Sequence, residues 1–151
     1  MTAIQFYHLT TTSLERALPK LLEKAYSVGM KTLVVTASEE QMESLNQWLW
    51  TYNPGNFLPH GSVKEAHQAQ QPILLSTSAD NQNQATLLVV TDGSMPDAPE
   101  QFERVFDLFN GSDPQAVEAA RRRWSHYKTA GHELTYMRQT PQGSWENKTG
   151  A

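Results

Sequence analysis

Ala85-Thr86-Leu87-Leu88-Val89-Val90-Thr91 is the most apolar strand-like run in the chain, and its reading decides the fold. Its four central residues carry no polar alternation, so both faces of the strand must be covered. That is the pattern of a buried strand in a parallel sheet. Lys31-Thr32-Leu33-Val34-Val35-Thr36 repeats it. Working outward, Ala3–Leu9 mixes β-branched, aromatic and polar residues and reads as a first strand. Pro72-Ile73-Leu74-Leu75-Ser76 reads as a short strand and Glu133–Gln139 as an edge strand.

Helical patterns separate these runs. Leu14, Ala17, Leu18, Leu21, Leu22 and Ala25 recur at helical spacing over 14–28, with N-cap candidates at 10–13 and Gly29 at the stop. Pro19 is expected to kink this helix or to mark a later start. Ser38 caps a second helix that turns Met42, Leu45, Trp48 and Leu49 inward. Residues 100–109 read as a third, with Phe102, Val105, Phe106 and Phe109 inward. Asn110-Gly111-Ser112-Asp113 ends it and caps the last helix, which Pro114 opens and Gly131 ends. Between residues 52 and 71 the pattern is irregular: a turn at 53–56, an extended piece around Pro59, then a polar loop. Alternating strands and helices predict an α/β fold, a three-layer α/β/α Rossmann-like sandwich with a mostly parallel sheet. The whole chain, 1–151, is expected to form one domain, with 145–151 a polar tail.

Composition narrows the function. The 151 residues carry a net charge of −4, which argues against wrapping duplex DNA with the whole surface. There is no cysteine, hence no disulfide, thiolate chemistry or zinc–thiolate site, which fits a cytoplasmic protein. No signal-peptide pattern or long apolar run is present, so no membrane span is expected. The first strand runs into Leu9-Thr10-Thr11-Thr12-Ser13 without a glycine for close approach of a pyrophosphate, and no phosphate-loop motif occurs. Asp92 follows the apolar strand as a magnesium ligand does in nucleoside triphosphatases, but without a phosphate loop it is expected to cap a turn. His8, His60, His67, His126 and His132 lack metal-ligand spacing. His60 and Asp92 would make an acid–base pair only if both lie at the sheet's C-terminal edge. No nucleophile is legible, so no catalytic residue, metal or cofactor is expected.

The remaining signal is Ala119-Ala120-Arg121-Arg122-Arg123-Trp124-Ser125-His126-Tyr127-Lys128, which holds four of the chain's 12 basic residues. At about 100° per residue Val117, Arg121, Trp124 and Lys128 share one helix face. Ala116, Ala120 and Tyr127 form an adjoining apolar face suited to docking on the protein body. Cations around an aromatic ring suit an acidic peptide with an apolar side chain. The plainer reading is a solvated basic helix with Trp124 in the core. Trp48 is read as core, whereas Trp50 and Tyr52 are either core or line a groove with Phe57.

Taken together, Phe6-Tyr7, the leucine-rich first helix ending at Gly29-Met30-Lys31, Leu49-Trp50, Phe57-Leu58-Pro59-His60, Ala120-Arg121, Tyr127-Lys128 and Ala130-Gly131 resemble the chi subunit of bacterial DNA polymerase III holoenzyme. The resemblance runs over about residues 3–146. It implies a non-catalytic accessory subunit with a Rossmann-like fold and no nucleotide site. It also implies two partners. One is the acidic C-terminal tail of single-stranded-DNA-binding protein, which ends in Pro-Phe, so that DNA is contacted indirectly. The other is a psi subunit leading to the clamp loader. The family's tail pocket maps onto Arg121, Trp124 and Phe57, with Lys128 as an added cation. Family lysines are replaced by Val117 and Ser125, and Arg122, Arg123 and Lys128 are the candidates to restore the charge, although Arg122 points away from Arg121. Two other readings stay open: a small Rossmann-like nucleotide-binding or hydrolytic enzyme, and direct single-strand binding by the basic–aromatic helix.

Overall fold

A computed structural model describes residues 2–53, 58–64 and 68–149. Among these residues eight strands form one sheet in the order β3-β4-β2-β5-β6-β1-β7-β8. They are β1 (Ala3–Leu9), β2 (Thr32–Val35), β3 (Gly61–Ser62), β4 (Ile73–Ser76), β5 (Leu87–Val90), β6 (Arg104–Asn110), β7 (Glu133–Gln139) and β8 (Trp145–Asn147). Every pairing is parallel except β7 with β8. The helices are α1 (Leu14–Ser27), α2 (Glu39–Thr51) and α3 (Pro114–Thr129). All four residues of each of β2, β4 and β5 are buried, which explains the absence of alternation in Leu87-Leu88-Val89-Val90.

Two apolar layers sandwich the sheet. Leu18 and Leu22 of α1 and Met42, Leu45 and Leu49 of α2 pack with Val34, Leu75 and Val89 on one face. Ala120 and Tyr127 of α3 pack with Phe6, Leu33, Val90 and Phe109 on the other. The result is the expected three-layer α/β/α arrangement. Pro19 is buried inside an unbroken α1. Proline has no N–H to offer the Glu15 carbonyl one turn back. The Trp48 indole supplies it instead, Nε1 donating to Glu15 O at 2.6 Å. Trp48 is therefore a half-exposed bridge between α1 and α2, 37% accessible, rather than the core residue expected.

Three other expectations change. Residues 104–110 form a strand, not a helix. Phe102, Val105, Phe106 and Phe109 match a helical period only because β6 is buried on both faces, where spacing carries no information. The connection from β5 is an irregular segment with one 3-10 turn, Pro99–Gln101. Second, β7 is not the sheet edge. A turn at Gly143 (φ 86°) folds the chain back, so that Trp145, expected in a polar tail, starts β8 and packs edge-on against Tyr7 at 4.9 Å. Third, the polar loop after Pro59 contains the two-residue strand β3 and a 3-10 turn at Gln68–Gln70. Asn83, fully buried, fastens the loop before β5 by donating to Thr32 O at 3.1 Å and Gln71 O at 3.0 Å.

Candidate functional site

The α3 helix starts where the Asp113 side chain accepts from Gln115 N at 3.0 Å, with Pro114 in the first turn. It ends where Gly131 takes φ 88° and the His132 N–H returns to Tyr127 O at 3.2 Å. Its inward face is Ala120, Arg123 and Tyr127. Arg123 was expected to be a candidate surface cation. Instead it is buried against Asp107 of β6, Nε donating at 2.7 Å and Nη2 at 2.9 Å, with Nη1 reaching Gly93 O at 3.3 Å. It therefore does not restore surface charge. Burial pushes the Asp107 carboxyl above its usual range, against the opposing pull of the Arg123 bonds. Arg122 faces solvent and approaches Glu118 at 3.9 Å.

With α3 locked in this rotation, Arg121, Trp124 and Lys128 open onto a groove of about 1180 Å³ between the helix and β7. The spacing argument thus grouped them correctly. Trp124 is half-buried, edge-on to Phe6 at 5.4 Å and to Tyr136 at 6.1 Å, so it is at once groove wall and margin of the core. His8 lies on the floor, tilted over Phe109 at 4.9 Å, its Nδ1 bonded to the Tyr136 hydroxyl. Burial, the Arg138 charge and, more weakly, the Arg121 charge hold the His8 imidazole below its ordinary value; a backbone hydrogen bond at Gly111 opposes them. Burial likewise raises Tyr136. Gly111 leaves no room for a side chain, since a Cβ there would stand 2.1 Å from the His8 ring.

Arg138 and Lys148 line the opposite wall. No described aspartate or glutamate lines the groove, and among the described residues none pairs with Arg121, Lys128 or Arg138. On a chain of net charge −4 this is a concentrated reversal of sign. The floor aromatics and the sheet-wall cations escaped the sequence reading. For Arg138 the available signal was the alternation of Leu134, Tyr136 and Arg138 along a strand taken to be an edge. Phe57, the remaining expected pocket residue, lies outside the described residues. Leu58, which follows it, is buried in the layer beneath α1 and α2.

A family profile described as "DNA polymerase III chi subunit, HolC" matches residues 1–135. The chain belongs to that family. It is similar to the probable DNA polymerase III subunit chi of Rickettsia prowazekii, 36% identical over 90 residues, 60% of this chain and 54% of that protein. It is 30% identical to the DNA polymerase III subunit chi of Haemophilus influenzae over 135 residues, covering 87% and 93% of the two chains. The Pseudomonas aeruginosa subunit is 28% identical over 137 residues, covering 89% and 94%.

This chi-family chain has a second concavity, about 540 Å³, at the C-terminal ends of β1 and β6. The chain leaves β1 through α1 on one face and β6 through α3 on the other, so this is the sheet's switch point, where α/β folds commonly hold ligands. Here the backbone N–H groups of Thr10, Thr11 and Thr12 all donate to Gln139 Oε1, at 3.2, 2.8 and 3.0 Å. Gln139 Nε2 donates onward to Thr12 Oγ1 at 2.8 Å. The oriented donors before α1 are satisfied by the chain's own amide. Asp92 accepts from Ser94 N and Oγ, the expected turn cap. His60 sits before β3 with its ring nitrogens on the carbonyls of Leu58 and Asn46, at the opposite end of the parallel strands from Asp92. The two make no acid–base pair. Trp50 lies half-exposed, its ring 4.2 Å from that of His60. Among the described residues no cluster suited to a metal ion occurs, and no helix is long and apolar enough to cross a membrane.

Proposed function

We propose that this chi-family chain is a non-catalytic, cytoplasmic accessory subunit of DNA polymerase III whose groove holds the acidic C-terminal tail of single-stranded-DNA-binding protein. A psi-type subunit, where present, joins it to the clamp loader, so the chain ties the polymerase assembly to coated single strands. The observation that carries this reading is the groove itself: an aromatic floor and four cations, of which among the described residues only Lys148 meets a carboxylate, on an otherwise acidic chain. Arg121 takes a carboxylate through charge-assisted hydrogen bonds, and Trp124 flanks the terminal aromatic side chain. Direct strand binding is less well served. Trp124 and Tyr136 pack against each other and the core rather than standing as parallel platforms for bases.

Fluorescence anisotropy with a labelled acidic peptide ending in Pro-Phe tests the reading. A short ligand of this kind should bind with a micromolar Kd, about −7 to −8 kcal/mol. Arg121→Ala and Trp124→Ala should each cost about 2 kcal/mol or more, and Arg122→Ala much less. Binding should weaken with salt. A wild-type chain that ignores the peptide, or that binds an oligonucleotide more tightly, overturns the proposal.

A further inference from the structure

Leu134, Tyr136 and Arg138 alternate along β7, and the first two pack in the same layer as Trp124, so Arg138 is carried to the groove side of the strand. Its guanidinium and that of Arg121 act on the same floor residue, His8, from the sheet wall and the helix wall. Lys148 follows β8 on the same wall, fixed by its own N–H to Tyr136 O at 2.7 Å. One terminal carboxylate can be gripped bidentately by one guanidinium. A groove with cations on both walls, and room for more than a single residue, suits a ligand with a second negative charge set back from the first. The family-profile match ends at residue 135, before Arg138 and Lys148.

We infer that Arg138, assisted by Lys148, is a second anchoring point that recognises a side-chain carboxylate upstream of an acidic peptide's C-terminus, while Arg121 holds the terminus. This rests on the peptide-binding reading above and specifies its charge pattern. Glu146 sets the strength of this wall. It stands opposite Arg138 in the β7–β8 register, and its carboxylate lies 3.2 Å from the Lys148 ammonium. Both partners are about half exposed, so the pair is weak and a bound carboxylate can compete for Lys148.

The test is anisotropy with three labelled peptides: one with a free C-terminus and upstream aspartates, one with those aspartates changed to asparagine, and one with the C-terminus amidated. Arg138→Ala should weaken the first about fivefold and the asparagine peptide hardly at all. Arg121→Ala should show the converse, losing most on peptides with a free terminus. Glu146→Gln should tighten the first peptide about twofold, a gain that loss of folding cannot mimic. Arg138→Ala that binds all three as wild type does, or that weakens the aspartate and asparagine peptides equally, overturns the inference. It does so without touching the peptide-binding reading, provided wild type binds and Arg121→Ala does not. Failure of wild type to bind any peptide overturns both.

Discussion

Arg123 and Asp107 meet through two parallel hydrogen bonds, 2.7 and 2.9 Å, in the seam between α3 and β6. Both are buried, and the third guanidinium nitrogen holds the Gly93 carbonyl at 3.3 Å. A buried fork of this kind fixes rotation as well as position. Trp124 follows Arg123 in sequence, and Arg121 precedes it by two residues, so their aim into the groove depends on the fork.

Breaking the fork from one side leaves an uncompensated buried charge. Arg123→Ala or Asp107→Ala should each destabilise the fold by about 3–5 kcal/mol. Replacing both by apolar residues of similar size, Arg123→Met with Asp107→Leu, should cost less than either alone. Urea unfolding of the four chains reads this, and additive losses would contradict it.

The bond from Trp48 to Glu15 exists because residue 19 is proline. Trp48→Phe keeps the ring and removes the donor, so it should cost about 1 kcal/mol. In a Pro19→Ala background the alanine N–H can serve Glu15, and the same substitution should cost much less. A double-mutant cycle by thermal unfolding measures the difference; equal costs in both backgrounds would sink the idea.

Gly111 is required by contact rather than by backbone angle. Gly111→Ala would push a methyl into the His8 ring and toward the Leu9 carbonyl, 2.6 Å away. The loss should be about 1–3 kcal/mol, and peptide affinity should fall with it because the groove floor moves. Gly111→Ala combined with His8→Ala should recover part of the stability.

The His8 imidazole, held below its ordinary value chiefly by burial, gives a signed pH effect. The unfolded chain takes up this proton near pH 6.5, the folded chain only lower. Between those points the unfolded state holds more protons, so stability rises with pH. The contribution is complete above about 6.5 and is lost as pH falls towards the depressed value. His8→Gln should flatten the difference in urea midpoint between pH 5.5 and 7.5; an unchanged difference would contradict this.

Much of the fold was legible because continuous apolar runs at β2 and β5 and capped leucine periodicity at α1 admit few arrangements. Residues 104–110 were misread for a physical reason: a strand buried on both faces can carry its large residues at any spacing. On α3, angle alone grouped Arg121, Trp124 and Lys128. It could not show that Arg123, one of three consecutive arginines, turns inward, because its partner Asp107 is 16 residues earlier, in the misread segment. The sheet wall was hidden for a similar reason, since Arg138 faces the groove only once β7 lies beside β1.

Gln139 makes the molecule its own ligand at the place where related architectures receive one. Its carbonyl oxygen occupies the focus of three amide donors, as an oxyanion's oxygen would. The separation between a scaffold and a small-anion receptor is therefore one side chain deep here. Trimming that amide would leave three oriented N–H groups without their acceptor. Keeping it welds the loop ahead of α1 to the end of β7.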